Sequence, residues 1–224
     1  MRPNWGCTTM MPDAITPFVG LRGSPEEMIS VGDGEQLRVY YLDVYFPGRF
    51  AESKTHQSTS LTIDFKHGVP MAVRHFSALV LPRFENNRIA PAFVAVPGHR
   101  KGPATPTGGL RQIIAKVAGA IDLSDCLRRT VEIRKSAGAA RGTRPDVKKH
   151  IDTMEIVSAE RLHGKNVVVF DDVLTRGDTM RAARYIVAKF GKPASLTCLC
   201  LMRTRLGTQS AANSWPPRAE DIEF

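Results

Sequence analysis

Residues 167–180 read VVVFDDVLTRGDTM. Four apolar residues lead into two adjacent carboxylates, Asp171 and Asp172, and a polar turn, Thr175, Arg176, Gly177, Asp178 and Thr179, follows within three residues. Paired carboxylates accept hydrogen bonds from vicinal hydroxyls. Two hydroxyls, a glycine that lets the backbone approach closely and the free N–H groups of a helix's first turn make a cradle for an anion. One kind of ligand wants both features, a sugar phosphate with its hydroxyls on the acids and its phosphate in the turn. A plainer reading of the same residues has FDDV closing a strand, with Asp172 or Thr175 capping the helix behind it.

Such a turn has to be held at the carboxyl edge of a sheet, and the flanking sequence supplies one. Residues 37–44 (LRVYYLDV) and 61–65 (LTIDF) read as strands from their aromatic and β-branched content, and 71–81 (MAVRHFSALVL) reads as a helix. Next come 92–96 (AFVAV) as a strand and 110–120 (LRQIIAKVAGA) as a helix. After the strand at 167–170, residues 179–190 read as a helix ended by Gly191 and Pro193, and 195–201 (SLTCLCL) as a strand. Strands that are apolar throughout, alternating with helices, predict an α/β doubly wound, mostly parallel sheet with helices on both faces. Residues 1–36 are Gly- and Pro-rich without a clear period, and 207–224 read as a tail whose Trp215 is its one docking residue. The expected division is an N-terminal hood or extension at 1–60, a core at 61–206 and a C-terminal tail.

At 224 residues and 42% hydrophobic, the chain suits one well-buried domain with a small appendage. No apolar run reaches the ~20 residues that span a bilayer, and the first residues lack the apolar core of a signal peptide, so a cytoplasmic protein is expected. Cys7, Cys126, Cys198 and Cys200 form no CxxC pair; all four are read as reduced, without a zinc site. Of the net charge of +9, the stretch from His99 to Lys149 supplies +8, with 12 Lys or Arg against 4 Asp or Glu. Either an anionic partner meets that region or it is a solvated basic face.

The motif resembles the signature of the type I phosphoribosyltransferases for 5-phosphoribosyl 1-pyrophosphate (PRPP): an apolar strand, two acids, two apolar residues, then Thr-x-Gly-x-Thr. Residues 167–179 match it position by position, except that the usually small position 178 is Asp. That carboxylate would repel a phosphate unless it points outward or caps the helix. More distant features resemble the branch related to the competence protein ComF. Phe65-Lys66-His67-Gly68 is similar to its Lys-Tyr-x-Gly element, Gly109-Leu110-Arg111-Gln112 to its Gly-Phe-Asn-Gln, and AVPGHRKG (95–102) to the strand and loop that bind pyrophosphate. Leu127-Arg128-Arg129, SAGAARGTR and 147–156 resemble the mobile loop that closes over the ligand, while the branch's amino-terminal zinc module is missing.

The resemblance implies a magnesium-dependent transferase that binds PRPP and passes its phosphoribosyl group to a small-molecule acceptor with release of pyrophosphate. It places Asp171 and Asp172 on the ribose hydroxyls and, mostly through PRPP and water, near the metal; residues 175–179 on the 5′-phosphate; and Pro97, Gly98, His99, Arg100 and Lys101 on the pyrophosphate. Arg128, Arg134, Lys135 and Arg144 would belong to the closing loop. His150 and His163 are given no role. The acceptor is unspecified, and residues 1–60 would form its hood. The competing class is a non-catalytic protein that senses PRPP or nucleotides, or assists DNA uptake by binding single-stranded nucleic acid. The basic middle region favours that class, but it contains no Phe, Tyr or Trp on which bases would stack. No membrane partner is expected, and a homodimer is left open.

Overall fold

The structure, a computed structural model, describes residues 26–30, 36–48, 50–85, 90–134 and 145–205. Lys135, the SAGAARGTR stretch that ends at Arg144, and the tail with Trp215 lie outside the described residues. In chain order the elements are β1 (Glu26–Ser30), β2 (Gln36–Tyr45), α1 (Gln57–Ser60), α2 (Thr62–His67), α3 (Pro70–Val80), β3 (Pro91–Ala95), β4 (Gly102–Pro103), α4 (Gly108–Lys116) and β5 (Ile121–Asp122). There follow β6 (Leu127–Arg129), α5 (Val147–Asp152), β7 (Met154–Ile156), β8 (Asn166–Leu174), α6 (Asp178–Ile186) and β9 (Ser195–Thr204).

Side chains alternate across a strand, so a strand apolar at every position must be covered on both faces. That is what 167–170 of β8 and 198–202 of β9 require. Val167 and Val169 pack with Cys198, Cys200 and the α6 residues Met180, Ala183 and Ile186 on one face. On the other, Val168, Phe170, Leu199 and Leu201 pack with Phe65, Phe76 and Ile113 of α2, α3 and α4. The sheet runs β1-β2-β9-β8-β3-β5, parallel throughout except for the edge hairpin of β1 with β2. The α/β doubly wound sheet is therefore present, with helices on both faces.

From β3 the chain winds outward through α4 to β5, and from β8 it winds the opposite way through α6 to β9. Crossovers of parallel strands are right-handed, so the two helices land on opposite faces, and the winding reverses between β3 and β8. That reversal leaves a crevice at the strands' carboxyl ends. Ala95 stands beside Phe170 in register, and the Val96 N–H donates to the Phe170 carbonyl at 3.0 Å. The loop after β3 and the acids after Phe170 consequently leave the sheet side by side.

Two expectations need correction. Residues 61–65 do not form a strand: α2 covers Thr62–His67, with Leu61 and Phe65 buried four residues apart on one helical face. Five residues of LTIDF fit either period; the stop comes from Gly68, which caps α2 in the left-handed conformation at φ 76°. The 110–120 helix runs instead over Gly108–Lys116, because Val117 turns to extended backbone at ψ 121°. Much of the segment likened to a closing loop is regular structure as well. β4, β6 and β7 form a small antiparallel sheet, and Asp146 caps α5 by accepting from the Lys149 N–H at 2.7 Å.

Candidate functional site

β8 extends to Leu174, so Asp171 and Asp172 are residues of the strand itself rather than of a loop beyond it. Consecutive strand residues face opposite sides. Asp172 is turned toward α2 and pairs with Lys66, Nζ to Oδ2 3.2 Å, while Asp171 faces the side of α5 and α6. The Asp172 N–H donates to Asp171 Oδ1 at 2.9 Å, and the Val173 N–H to Asp172 Oδ1 at 2.7 Å, fixing both carboxylates. Burial, with the like charge of Asp172 second, pushes the Asp171 carboxyl well above the usual carboxylate range.

The polar turn then closes onto α6. Gly177 adopts φ 88° at the helix N-cap, a left-handed conformation that a side chain would strain. Asp178, the departure from the motif, is buried in the first turn of α6, and its Oδ2 lies 3.1 Å from Arg176 Nε. The carboxylate thus meets a guanidinium and the positive end of the helix dipole. Arg203 on β9 donates to the Thr175 carbonyl and ties the turn to the sheet. Residues 175–179, with Asp171 and His150, surround a hollow of about 120 Å³.

Beside it opens a cleft of about 610 Å³ that shares Asp171, Thr175, Thr179 and His150 with the hollow. Its lining includes Asp172, Lys66, Pro97, Gly98 and His99, so the motif and the first half of the candidate pyrophosphate loop share one space. Arg100 and Lys101 follow as exposed residues outside that lining. Arg128 is directed at Glu155 across β6 and β7 in an exposed ion pair, and Arg134 is exposed. Neither lines the cleft, whereas their neighbours Arg129 and Ile133 do.

Three contributors were not foreseen. Arg129, only 1% exposed, donates from Nε to the Gly98 carbonyl at 2.5 Å, from Nη2 to the Pro97 carbonyl at 3.4 Å and from Nη1 to Thr153 Oγ1 at 2.7 Å. It thereby holds the loop after β3 in place. Burial lowers its pKa to about 10. His150, 2% exposed, sits between Arg129 Nη2 and Thr179 Oγ1, 3.3 Å from each. Burial, then the Arg129 charge, brings its pKa down to about 4. Lys66 completes the set. Its signal was present, because it lies in the Phe65-Lys66-His67-Gly68 element; Arg129 and His150 stand in sequence amid exposed basic residues and are separated from them only by burial.

The two short elements that resembled distant motifs pack on each other. Gln112 Nε2 donates to the Gly68 carbonyl at 3.0 Å, and a Cβ on Gly109 would stand 2.4 Å from the Phe65 carbonyl oxygen. Only glycine allows α4 to approach α2 this closely. The contact sets the position of α2 and hence of Lys66 over Asp172.

Comparison with known proteins adds a partial relationship. A curated relative matches part of the chain. The bifunctional protein PyrR of Pseudomonas syringae pv. tomato is 41% identical over 46 residues, which is 20% of this chain and 27% of PyrR. The chain thus spans about a quarter of the length of the relative it matches. No protein-family model matches the chain.

Proposed function

We propose that the protein binds PRPP with magnesium and transfers its 5-phosphoribosyl group to an acceptor, releasing pyrophosphate. The observation that carries this is the convergence, at the reversal of winding, of Asp171 and Asp172, the glycine-centred turn at 175–179 and the loop beginning at Pro97, all around one cleft. The partial similarity to PyrR supports it.

In this reading the chain's own groups position the substrate and neutralise its charge. The turn takes the 5′-phosphate through Thr175, Thr179 and the first N–H groups of α6. Asp171 and Asp172 accept from the ribose hydroxyls, and their negative charge favours the positive charge that develops on the ring as the bond at C1 breaks. The loop at 97–101 takes the pyrophosphate. Asp171 and Asp172 both line the cleft and are hard oxygen donors of the kind that suits magnesium, so they would hold the ion together with the substrate's phosphates and water. When bound, that ion would neutralise the departing pyrophosphate.

The acceptor would enter from the side of Tyr45, Pro47 and Ile63, which line the cleft's remaining wall. Incubating the protein with PRPP, magnesium and a panel of purine and pyrimidine bases, with released pyrophosphate as the readout, tests the reading. Release that depends on one of the bases is expected; absence of release with all of them would contradict transfer to a nucleobase.

A further inference from the structure

The hydrogen-bonding roles in the buried chain Arg129–His150–Thr179 can be assigned from chemistry alone. A guanidinium has only donors, so at the 3.3 Å contact with Arg129 Nη2 the His150 Nδ1 must accept. In a neutral imidazole the proton is then on Nε2, which donates to Thr179 Oγ1 at 3.3 Å. An oxygen that accepts from His150 keeps its own hydroxyl proton for another partner. Thr179 lines the hollow of about 120 Å³ enclosed by the polar turn. We propose that His150, fixed by Arg129 in its Nε2–H tautomer, is a positioning residue that turns the Thr179 hydroxyl into a hydrogen-bond donor for the phosphate held in that hollow.

The phosphate is that of the proposed function, so the role rests on that reading, but the tautomer does not. Two further observations agree. Burial and the neighbouring Arg129 charge keep the imidazole neutral, down to a pKa of about 4, and a protonated ring would set two donors against each other at Nδ1. The charged groups around it include Arg129 from β6, Asp146 at the start of its own helix, and Asp171 of β8, Arg176 of the turn and Asp178 of α6 across the hollow. Arg129 also binds the Pro97 and Gly98 carbonyls, and in a trans peptide the N–H points away from its carbonyl. The N–H groups of Gly98 and His99 are therefore turned away from Arg129. One buried cation thus orients donors on both sides of the cleft.

The test combines ring ¹⁵N NMR of the parent with binding of ribose 5-phosphate, which carries the phosphate and lacks the pyrophosphate. The parent spectrum should show His150 protonated at Nε2 and bare at Nδ1 at pH 7. His150→Phe and Thr179→Val should each weaken ribose 5-phosphate by roughly five- to tenfold, the two together no more than either alone, because both remove the same donor. His150→Gln, whose amide can accept from Arg129 and donate to Thr179, should bind within about twofold of the parent. An Nδ1–H tautomer, or losses that simply add in the double variant, would overturn the positioning role. Unchanged binding by His150→Phe would overturn it while leaving the phosphate site standing. A parent that shows the Nε2–H tautomer but binds no ribose 5-phosphate would overturn the phosphate site itself, and with it the role of Thr179.

Discussion

Lys66 Nζ lies 3.2 Å from Asp172 Oδ2, joining the end of α2 to the strand that carries both acids. With both acids ionised, the three groups sum to one negative charge when the lysine is present and to two without it. Removing Lys66 would therefore raise the cost of ionising Asp171, whose raised pKa the lysine charge partly offsets. Lys66→Met is expected to weaken PRPP binding by roughly fivefold, about 1 kcal/mol, while the half-exposed lysine contributes little to stability. Calorimetry and thermal melts on the same samples check both parts; unchanged affinity would contradict the role given to the pair.

Asp171 works against the fold at neutral pH. Its folded pKa is raised by burial and by Asp172, so the native state holds the proton more tightly than the unfolded chain, and stability falls as pH rises from the ordinary carboxylate range through the raised value. Asp171→Asn removes that cost. It should raise Tm by about 2–4 °C at pH 7 and still lose PRPP binding, because a neutral amide is the weaker acceptor for hydroxyls. A variant that loses both stability and binding would show that Asp171 is structural instead.

His150 gives the opposite slope. Its pKa falls from 6.5 to about 4 on folding, so the unfolded chain binds the extra proton between those values and stability drops as pH falls through that window. His150→Gln cannot titrate and should flatten that part of the profile. Urea midpoints measured at half-unit steps from pH 7 to 4 for parent and variant isolate the histidine from Asp171, which both proteins share.

Gly109→Ala is expected to destabilise the protein by about 1–3 kcal/mol, since the added methyl would meet the Phe65 backbone and ring at 2.4–2.5 Å, where neither can yield cheaply. Because α2 must shift to relieve the clash, Lys66 moves off Asp172, and PRPP binding should weaken even at temperatures where the variant is folded. Denaturant unfolding paired with calorimetry reads both effects.

The legible parts of the sequence were those in which one local rule decides. VVVF is apolar at every position and SLTCLCL at all but Ser195 and Thr197, which marks both as strands buried on both faces, and Gly177 falls where the turn needs a left-handed residue. LTIDF was misread because five residues fit a period of 2 or of 3.6 and the deciding partner, Gly109, lies more than forty residues away. Arg129 and His150 were passed over for a related reason. In sequence they belong to a basic stretch, and it is the burial of these two residues against the loop after β3 and against α6 that makes them part of the site. Asp178 stands in sequence as a bare charge facing the turn, and its pairing with Arg176 is a neighbour relation of the folded turn.

The central claim is that Asp171 and Asp172 form the ribose side of a PRPP site. Titrating PRPP with magnesium into the parent and into the Asp171→Asn, Asp172→Asn double variant, each shown folded by circular dichroism, tests it most directly. Each charged hydrogen bond lost is worth about 1.5–3 kcal/mol, so the double variant should bind at least tenfold more weakly. Its net charge rises from +9 by two to +11, so a nucleic-acid site on the basic region would bind single-stranded DNA as well as before or more tightly. The account predicts clear binding of PRPP by the parent and its loss in the variant; equal binding by the two proteins, or none by the folded parent, would contradict it.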